Sequence, residues 1–384
     1  MDLKKLPTIT FWRAVLIVIF ISGIYSTLLR FTKGLGAATA LSDQFPWGLW
    51  VGFDVLCGVG LAAGGFTLAA AVYVFNLERF HAIVRPAILT AFLGYGLVAV
   101  ALLFDLGRPY RIWHPMVMWN PRSVMFEVAW CVMLYLTVLA LEFSPVVLAR
   151  FHLEKPLKIM KRITPLLVIA GVLLSTLHQS SLGSLYLIVP SKLHPYWYSP
   201  WLPVQFFISA IGVGLAMVIF ESNLSARAFN REIEMPLLSE LGKGLVVVLS
   251  IYGLMRFQDL ASRGALGLLR EPSTETLLLI LELSIGTIIP IILLANRSMR
   301  ENREGLFATA VMVITGFLLH RLNVSVTGLE ASSGAHYFPK WTEVSVTLSL
   351  VGAGFLFFAL AVRYLGVFDA EPVKASAGHP AGPA

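Results

Sequence analysis

The sequence predicts an all-α polytopic membrane protein of about ten transmembrane helices with both termini cytoplasmic, and three observations predict it. Of 384 residues, 57% are hydrophobic and 13% charged, against about 25% charged in an ordinary soluble domain. Apolar runs long enough to cross a hydrocarbon layer about 30 Å thick recur ten times. Lys and Arg then fall unevenly on alternate sides of those runs. This composition excludes a soluble globular enzyme and leaves no loop long enough for a soluble domain of normal size.

In chain order the runs lie at 11–30, 48–76, 83–106, 122–148, 164–189, 200–222, 236–261, 275–295, 304–322 and 342–366. The first lacks a small-residue cleavage site after its apolar stretch and is read as a retained helix, not a removed signal. Residues 1–366 form one transmembrane bundle, and 367–384, rich in Ala, Pro and Gly, form a disordered tail. The amino terminus, the even-numbered loops and the tail hold 18 of the 29 basic residues, with the densest group at Arg150, Lys155, Lys158, Lys161 and Arg162. The opposite side holds 11. The positive-inside rule puts the richer side in the cytoplasm, of a bacterial inner membrane. The net charge of +7 is therefore topological, and nucleic acid is not a partner. The outer loops instead carry Pro, His and aromatics, as in Phe45-Pro46-Trp47, Trp113-His114-Pro115 and His194 to Trp201. They read as ordered interfacial structure, part aromatic belt and part docking face.

Charged groups inside a bilayer are costly, so each is a functional hypothesis by default, with a satisfied structural pair as the alternative. Asp54, Asp105, Glu127, His178, Arg256, Asp259, Glu282, His320 and Arg321 all fall in the outer half, from seven different runs. The comparable inner-side acids are Glu142 and Glu221. Asp105, Arg321 and Glu142 read as helix-end residues reaching the headgroups. Arg256 and Asp259, three apart on one face, are an internal ion pair or ligand contacts. Asp54, Glu127 and His178 have no local charged partner, which favours function. Ser175 and Ser181 share the helix face of His178 and make a polar stripe with a titratable centre. On the second run Gly60 and Gly64 have the spacing of close helix packing, and its small residues leave room for a flat ring.

Three classes of function fit such a bundle. A secondary transporter calls for an inverted repeat with broken helices, and no convincing repeat is present. A b-type cytochrome calls for facing axial His pairs. Of eight His residues only His178 and His320 lie in or at the runs, leaving a single haem between them as the alternative. A haem-free quinone-handling subunit needs a lipid-accessible slot, an acid/base pair and a proton route, which the outer cluster supplies. Cys57 and Cys131 lie in apolar runs and are too few for an iron–sulfur cluster or a disulfide framework.

Phe45 to Asp54, Ala62-Ala63-Gly64-Gly65-Phe66, Val72 to Asn76 and Leu177 to Leu185 resemble the NrfD/PsrC family of membrane quinone-interacting subunits. Further matches are Leu93-Gly94-Tyr95, Phe126-Glu127, Ala140 to Phe143, Val218 to Glu221 and Tyr337 to Glu343, in order across roughly 45–345. Within the family the chain is most similar to the HybB-type membrane subunit of periplasm-facing [NiFe] hydrogenases.

The resemblance implies an oxidoreductase subunit without haem or Fe–S clusters of its own. It would receive electrons from a periplasmic ferredoxin-like iron–sulfur subunit, fed by the large and small subunits of a [NiFe] hydrogenase, and pass them to menaquinone or ubiquinone. Another oxidoreductase of the same family is the alternative. The positions carried over are Tyr95, Glu127, His178 and Glu221. The expected quinone site lies near the outer surface, among the second to fifth helices. His178 and Tyr95 would bond the ring oxygens, Asp54 and Glu127 would deliver protons, and Ser181, Arg256 and Asp259 would lie at the ligand. Glu221, Glu142 and Asp105 would carry protons, making turnover electrogenic if they enter from the cytoplasm.

Overall fold

In the computed structural model, which describes residues 10–368, the chain is helical throughout, with no strand among the described residues. Ten long helices follow one another: α1 (Phe11–Lys33), α2 (Trp50–Val74), α3 (His81–Asp105), α4 (Val124–Arg150), α5 (Glu154–Ser184), α6 (Leu202–Phe229), α7 (Met235–Ser262), α8 (Thr274–Ala295), α9 (Arg303–Ser333) and α10 (Trp341–Tyr364). Nine of them are long and apolar enough to cross a membrane. The other, α5, has the length at 31 residues, but the polar stripe Ser175 to Ser181 dilutes its hydropathy. Most of the tail expected to be disordered, 369–384, lies outside the described residues.

Local chemistry explains several helix ends. The side chains of Ser123, Ser273 and Asn302 accept hydrogen bonds from the first-turn amides of α4, α8 and α9. After α1 and α7 the chain turns through Gly34 at φ 88° and Gly264 at φ 69°, backbone that favours glycine. Two boundaries differ from the sequence expectation. α5 begins ten residues before 164, because its first three turns are basic rather than apolar. α9 continues past 322 to Ser333 through a π-helical turn, Asn323–Thr327, because no Pro or Gly interrupts it before Gly328.

α2 is the least regular helix. It opens with a π-helical stretch, Trp50–Cys57, breaks at Ala62 and Ala63, and closes with another, Ala70–Val74. In a bilayer such irregular backbone is tolerated only where protein or a cavity surrounds it, and most of α2 is buried.

α2 to α5 pack as one group and α6 to α9 as a second, joined where α6 meets α5 and α2. α1 lies outside both groups against α10, which in turn packs on α3. Two ends result. The aromatic-loop end carries residues 34–49, 106–123, 185–201, 263–273 and 334–340; the basic-loop end carries the turns near 77, 152, 232 and 300. The aromatic loops divide into two kinds. Tyr196 and Trp197 turn inward and are fully enclosed, whereas Tyr110, Trp113, Trp119 and Trp201 remain exposed.

Candidate functional site

Three groups of buried polar residues bear on the expected site. Between α3, α4 and α5, Tyr95 and His178 are both 0% exposed, and Tyr95 Oη lies 3.2 Å from His178 Nε2. Tyr135 packs edge-on against Tyr95, with ring centroids 4.7 Å apart. Gln179 donates to the carbonyl of Val59 at 3.1 Å, where the break in α2 is near. Two turns away toward the basic-loop end, a Cβ at Gly171 would meet both Glu142 Oε1, at 3.4 Å, and Tyr135, at 3.5 Å. Ser175 Oγ lies near the hydroxyls of Tyr95 and Tyr135, and Glu142 Oε1 has no hydrogen-bond partner among the described residues. They form a polar column leading from Glu142 toward His178.

Glu127 stands apart from that core. It accepts a hydrogen bond from Ser181 at 2.7 Å but is exposed in the first turn of α4. Asp105, ending α3, lies close to Arg30, whose guanidinium donates to the carbonyls of Phe104 and Leu106.

The second group, between α6, α7, α8 and α9, is an ion and hydrogen-bond network. Glu282 accepts from Trp197 at 2.9 Å and Asn323 at 2.8 Å, and its other oxygen lies 2.9 Å from His320. Arg256 is 3.8 Å from both Glu282 and Asp259, and Asp259 pairs with Arg263 at 2.7 Å and accepts from Ser199 at 2.8 Å. Arg256 and Asp259 form the ion pair that is one of the two alternatives read from sequence, and Arg256 Nε has no hydrogen-bond partner among the described residues. Arg321 departs from expectation. It is 0% exposed, bonded to the Phe206 carbonyl, with its guanidinium 3.4 Å from the Phe206 ring centroid. The longer α9 is the reason: the helix end lies three turns beyond Arg321, not at it.

The third group is Asp54, 7% exposed, which accepts a hydrogen bond from Thr347 of α10 at 2.9 Å. It lies in the π-helical opening of α2, and such widened turns recur where a side chain is aimed at a functional site. Asp54 borders a cavity of about 600 Å³ between α2, α3, α6, α9 and α10. That cavity runs lengthwise from Asp54 toward the basic-loop end, where Thr90, Glu221 and Ser225 are its other polar lining residues. Glu221 also borders a polar pocket of about 90 Å³ that reaches Arg231, Glu232 and Glu234. Thus one carboxyl group sits at each end of an apolar chamber, and the second is shared with a polar vestibule.

His178 and Tyr95 line none of these cavities and pack against Tyr135 among the second to fifth helices. Two features were not legible in the sequence. Thr347 is a common mid-helix residue, and the cavity's wall of Leu350, Gly354 and Phe355 comes from α10, nearly 300 positions from Asp54. Tyr95 reads as packing on spacing alone and entered only through the family resemblance.

A bundle of membrane-crossing helices with carboxyl, imidazole and guanidinium groups enclosed in it is a multi-pass membrane protein built to handle charge, the architecture of membrane subunits of oxidoreductases. The chain belongs to the NrfD family, described as polysulphide reductase, NrfD, which it matches over residues 37–331. It is 42% identical over 345 residues to a protein of Nitratidesulfovibrio vulgaris, covering 87% of this chain and 88% of the other. It is 33% identical over 350 residues to the probable Ni/Fe-hydrogenase 2 b-type cytochrome subunit of Escherichia coli K12, covering 90% and 88%. With the integral membrane subunit of menaquinone reductase from N. vulgaris it shares 28% identity over 390 residues, covering 94% and 92%.

Proposed function

We propose that this chain is the quinone-reactive membrane subunit of a respiratory [NiFe] hydrogenase complex, and that the quinone occupies the 600 Å³ cavity with its ring at Asp54. The observation that carries this reading is the cavity itself: an elongated apolar chamber fits a prenyl tail, and sites of about 300–1,000 Å³ suit ligands of this size. Its two carboxyl groups fit the chemistry. Reducing a quinone to a quinol consumes two electrons and two protons. Asp54, held by Thr347, hydrogen-bonds a ring oxygen and gives it a proton. Glu221 takes protons from the vestibule of Arg231, Glu232 and Glu234 and passes them into the chamber. Glu142 and the Tyr135–Ser175 column are a second inward route, ending on His178 and Tyr95, which position α3 against α5 beside the ring site.

The names of the hydrogenase and menaquinone reductase relatives support the partners and the electron acceptor. On the positive-inside rule the aromatic-loop end faces the periplasm. A ferredoxin-like iron–sulfur subunit docks there, next to Asp54, and brings electrons from the hydrogenase subunits. A haem bridging His178 and His320 fits poorly, because the two imidazoles are buried in different packed groups, His178 beside Tyr95 and His320 beside Glu282. The test is Asp54→Asn in membranes containing the whole complex. Quinone-linked electron transfer should fall at least about tenfold, with complex assembly and dye-linked oxidation by the partner subunits unchanged. Full quinone-linked activity would remove Asp54 from the site.

A further inference from the structure

The chamber beside Asp54 has α2 and α3 at its back, with α6 and α10 flanking it. α10 packs along α1, α3 and the opening of α2, but among the described residues it makes no extended contact with α6 or α9. A slot is left between α10 and the paired α6 and α9. Its lips are apolar. Val351, Phe355 and Ala359, four apart on one face of α10, border the cavity and remain exposed, and Phe220, Leu224 and Ala228 line it from one stripe of α6.

Both ends of the slot are tied. At the aromatic-loop end the short 334–340 connection joins α9 to α10, and Thr347 of α10 holds Asp54 of α2. At the basic-loop end the chain after α10 returns to α6. Val367 is buried there, the ring centroids of Phe368 and Phe229 lie 6.3 Å apart, and the Arg231 guanidinium sits 4.0 Å from the Phe368 ring centroid. The slot therefore opens between these ties, at mid-depth, where the bilayer is hydrocarbon. That depth decides the occupant. A phospholipid keeps its head at the interface, where the ties lie, and a partner helix, about 10 Å across, would cover the lips and leave the chamber behind them unfilled. A prenyl chain free in the hydrocarbon layer meets neither obstacle.

We propose that this slot is the port of the chamber: a quinone enters sideways from the bilayer, and once its ring lies at Asp54 its prenyl tail runs out between α6 and α10. The proposal rests on the quinone reading above and adds the side of entry and the residues that meet the tail. Val351 and Phe355 set the width of the port, and with it the tolerance for a prenylated ring over a tail-free one.

The experiment uses the intact complex in membranes and a prenyl quinone carrying a diazirine part-way along its tail, with a ring-labelled quinone as reference. Tail label should fall on the peptides of α6 and α10 that border the slot and be competed by unlabelled quinone. Ring label in the chamber with tail label confined to α4 and α5, or spread evenly over lipid-facing helices such as α1 and α7, would overturn the port and leave the ring site standing. Ring label away from the chamber would overturn both. A second measurement reads turnover. Val351→Trp puts an indole in the slot and should raise KM for the long-tailed quinone about tenfold, the scale of overpacking, while KM for a tail-free ring, which leaves the slot empty when bound, stays within about twofold. Leu348→Trp, exposed on α10 outside the cavity, should change neither. An unchanged KM in Val351→Trp, or an equal rise for both quinones, would overturn the port.

Discussion

Asp54 and His194 show how a single residue's surroundings decide its role. Asp54 was legible as a lone carboxyl in an apolar run, and the structure adds its partner and the chamber it faces. Glu221 was legible in the same way, as an inner-side outlier. Arg321 was not, because its role depended on where α9 ends, and a polar stretch such as Asn323-Val324-Ser325 masks a continuing helix. His194, in the loop before α6, accepts at Nδ1 from the amide of Tyr196 at 3.3 Å and packs at a tilt against Trp197. Burial holds its pKa below the usual histidine value, partly offset by Glu275. A histidine whose folded pKa is depressed contributes stability above its unfolded pKa of about 6.5 and loses it as pH falls below that value. The 190–201 loop should therefore exchange its amides faster at pH 5.5 than at 7.5, after correction for intrinsic rates. His194→Asn should remove that difference; a difference that survives the substitution assigns it to another group.

At the scale of elements, ten apolar runs were enough to give ten helices, since a bilayer admits little else. Their irregularities were hidden. π-helical turns in α2, α8 and α9 leave no compositional mark, and polar α5 was placed as a span but with its start ten residues late. Helix contacts show the same division. The small residues of α2 were legible as a packing surface, but a tight crossing also lies between Gly286 of α8 and Gly316 of α9, where a Cβ on either glycine would run into the other's backbone. No spacing within either helix announces a crossing between two. Gly316→Ala should force α8 from α9 and strain the Glu282–His320 contact, at a cost of about 1–3 kcal/mol. A lowered unfolding temperature of the purified complex would show it, whereas Gly36→Ala, in open surroundings, should leave that temperature where it is.

For the whole molecule, charge and hydropathy carry the topology, and contacts between distant segments carry the site. The positive-inside reading places the α4–α5 turn in the cytoplasm. A cysteine at Lys158 should then be labelled by an impermeant maleimide in inside-out vesicles and protected in intact spheroplasts, while Cys57 and Cys131 are buried and stay silent. The reverse pattern would invert the bundle and with it the side from which protons enter. The location of the quinone is the central claim, since it moves the ring from the α2–α5 core to a chamber walled by α10. Photo-crosslinking with an azido-quinone in membranes, followed by peptide mapping, tests it most directly. The cavity predicts labelled peptides from α2, α3 and α10, including the stretch around Leu350 to Phe355; labelling confined to α4 and α5 around Tyr135 and His178 would contradict it.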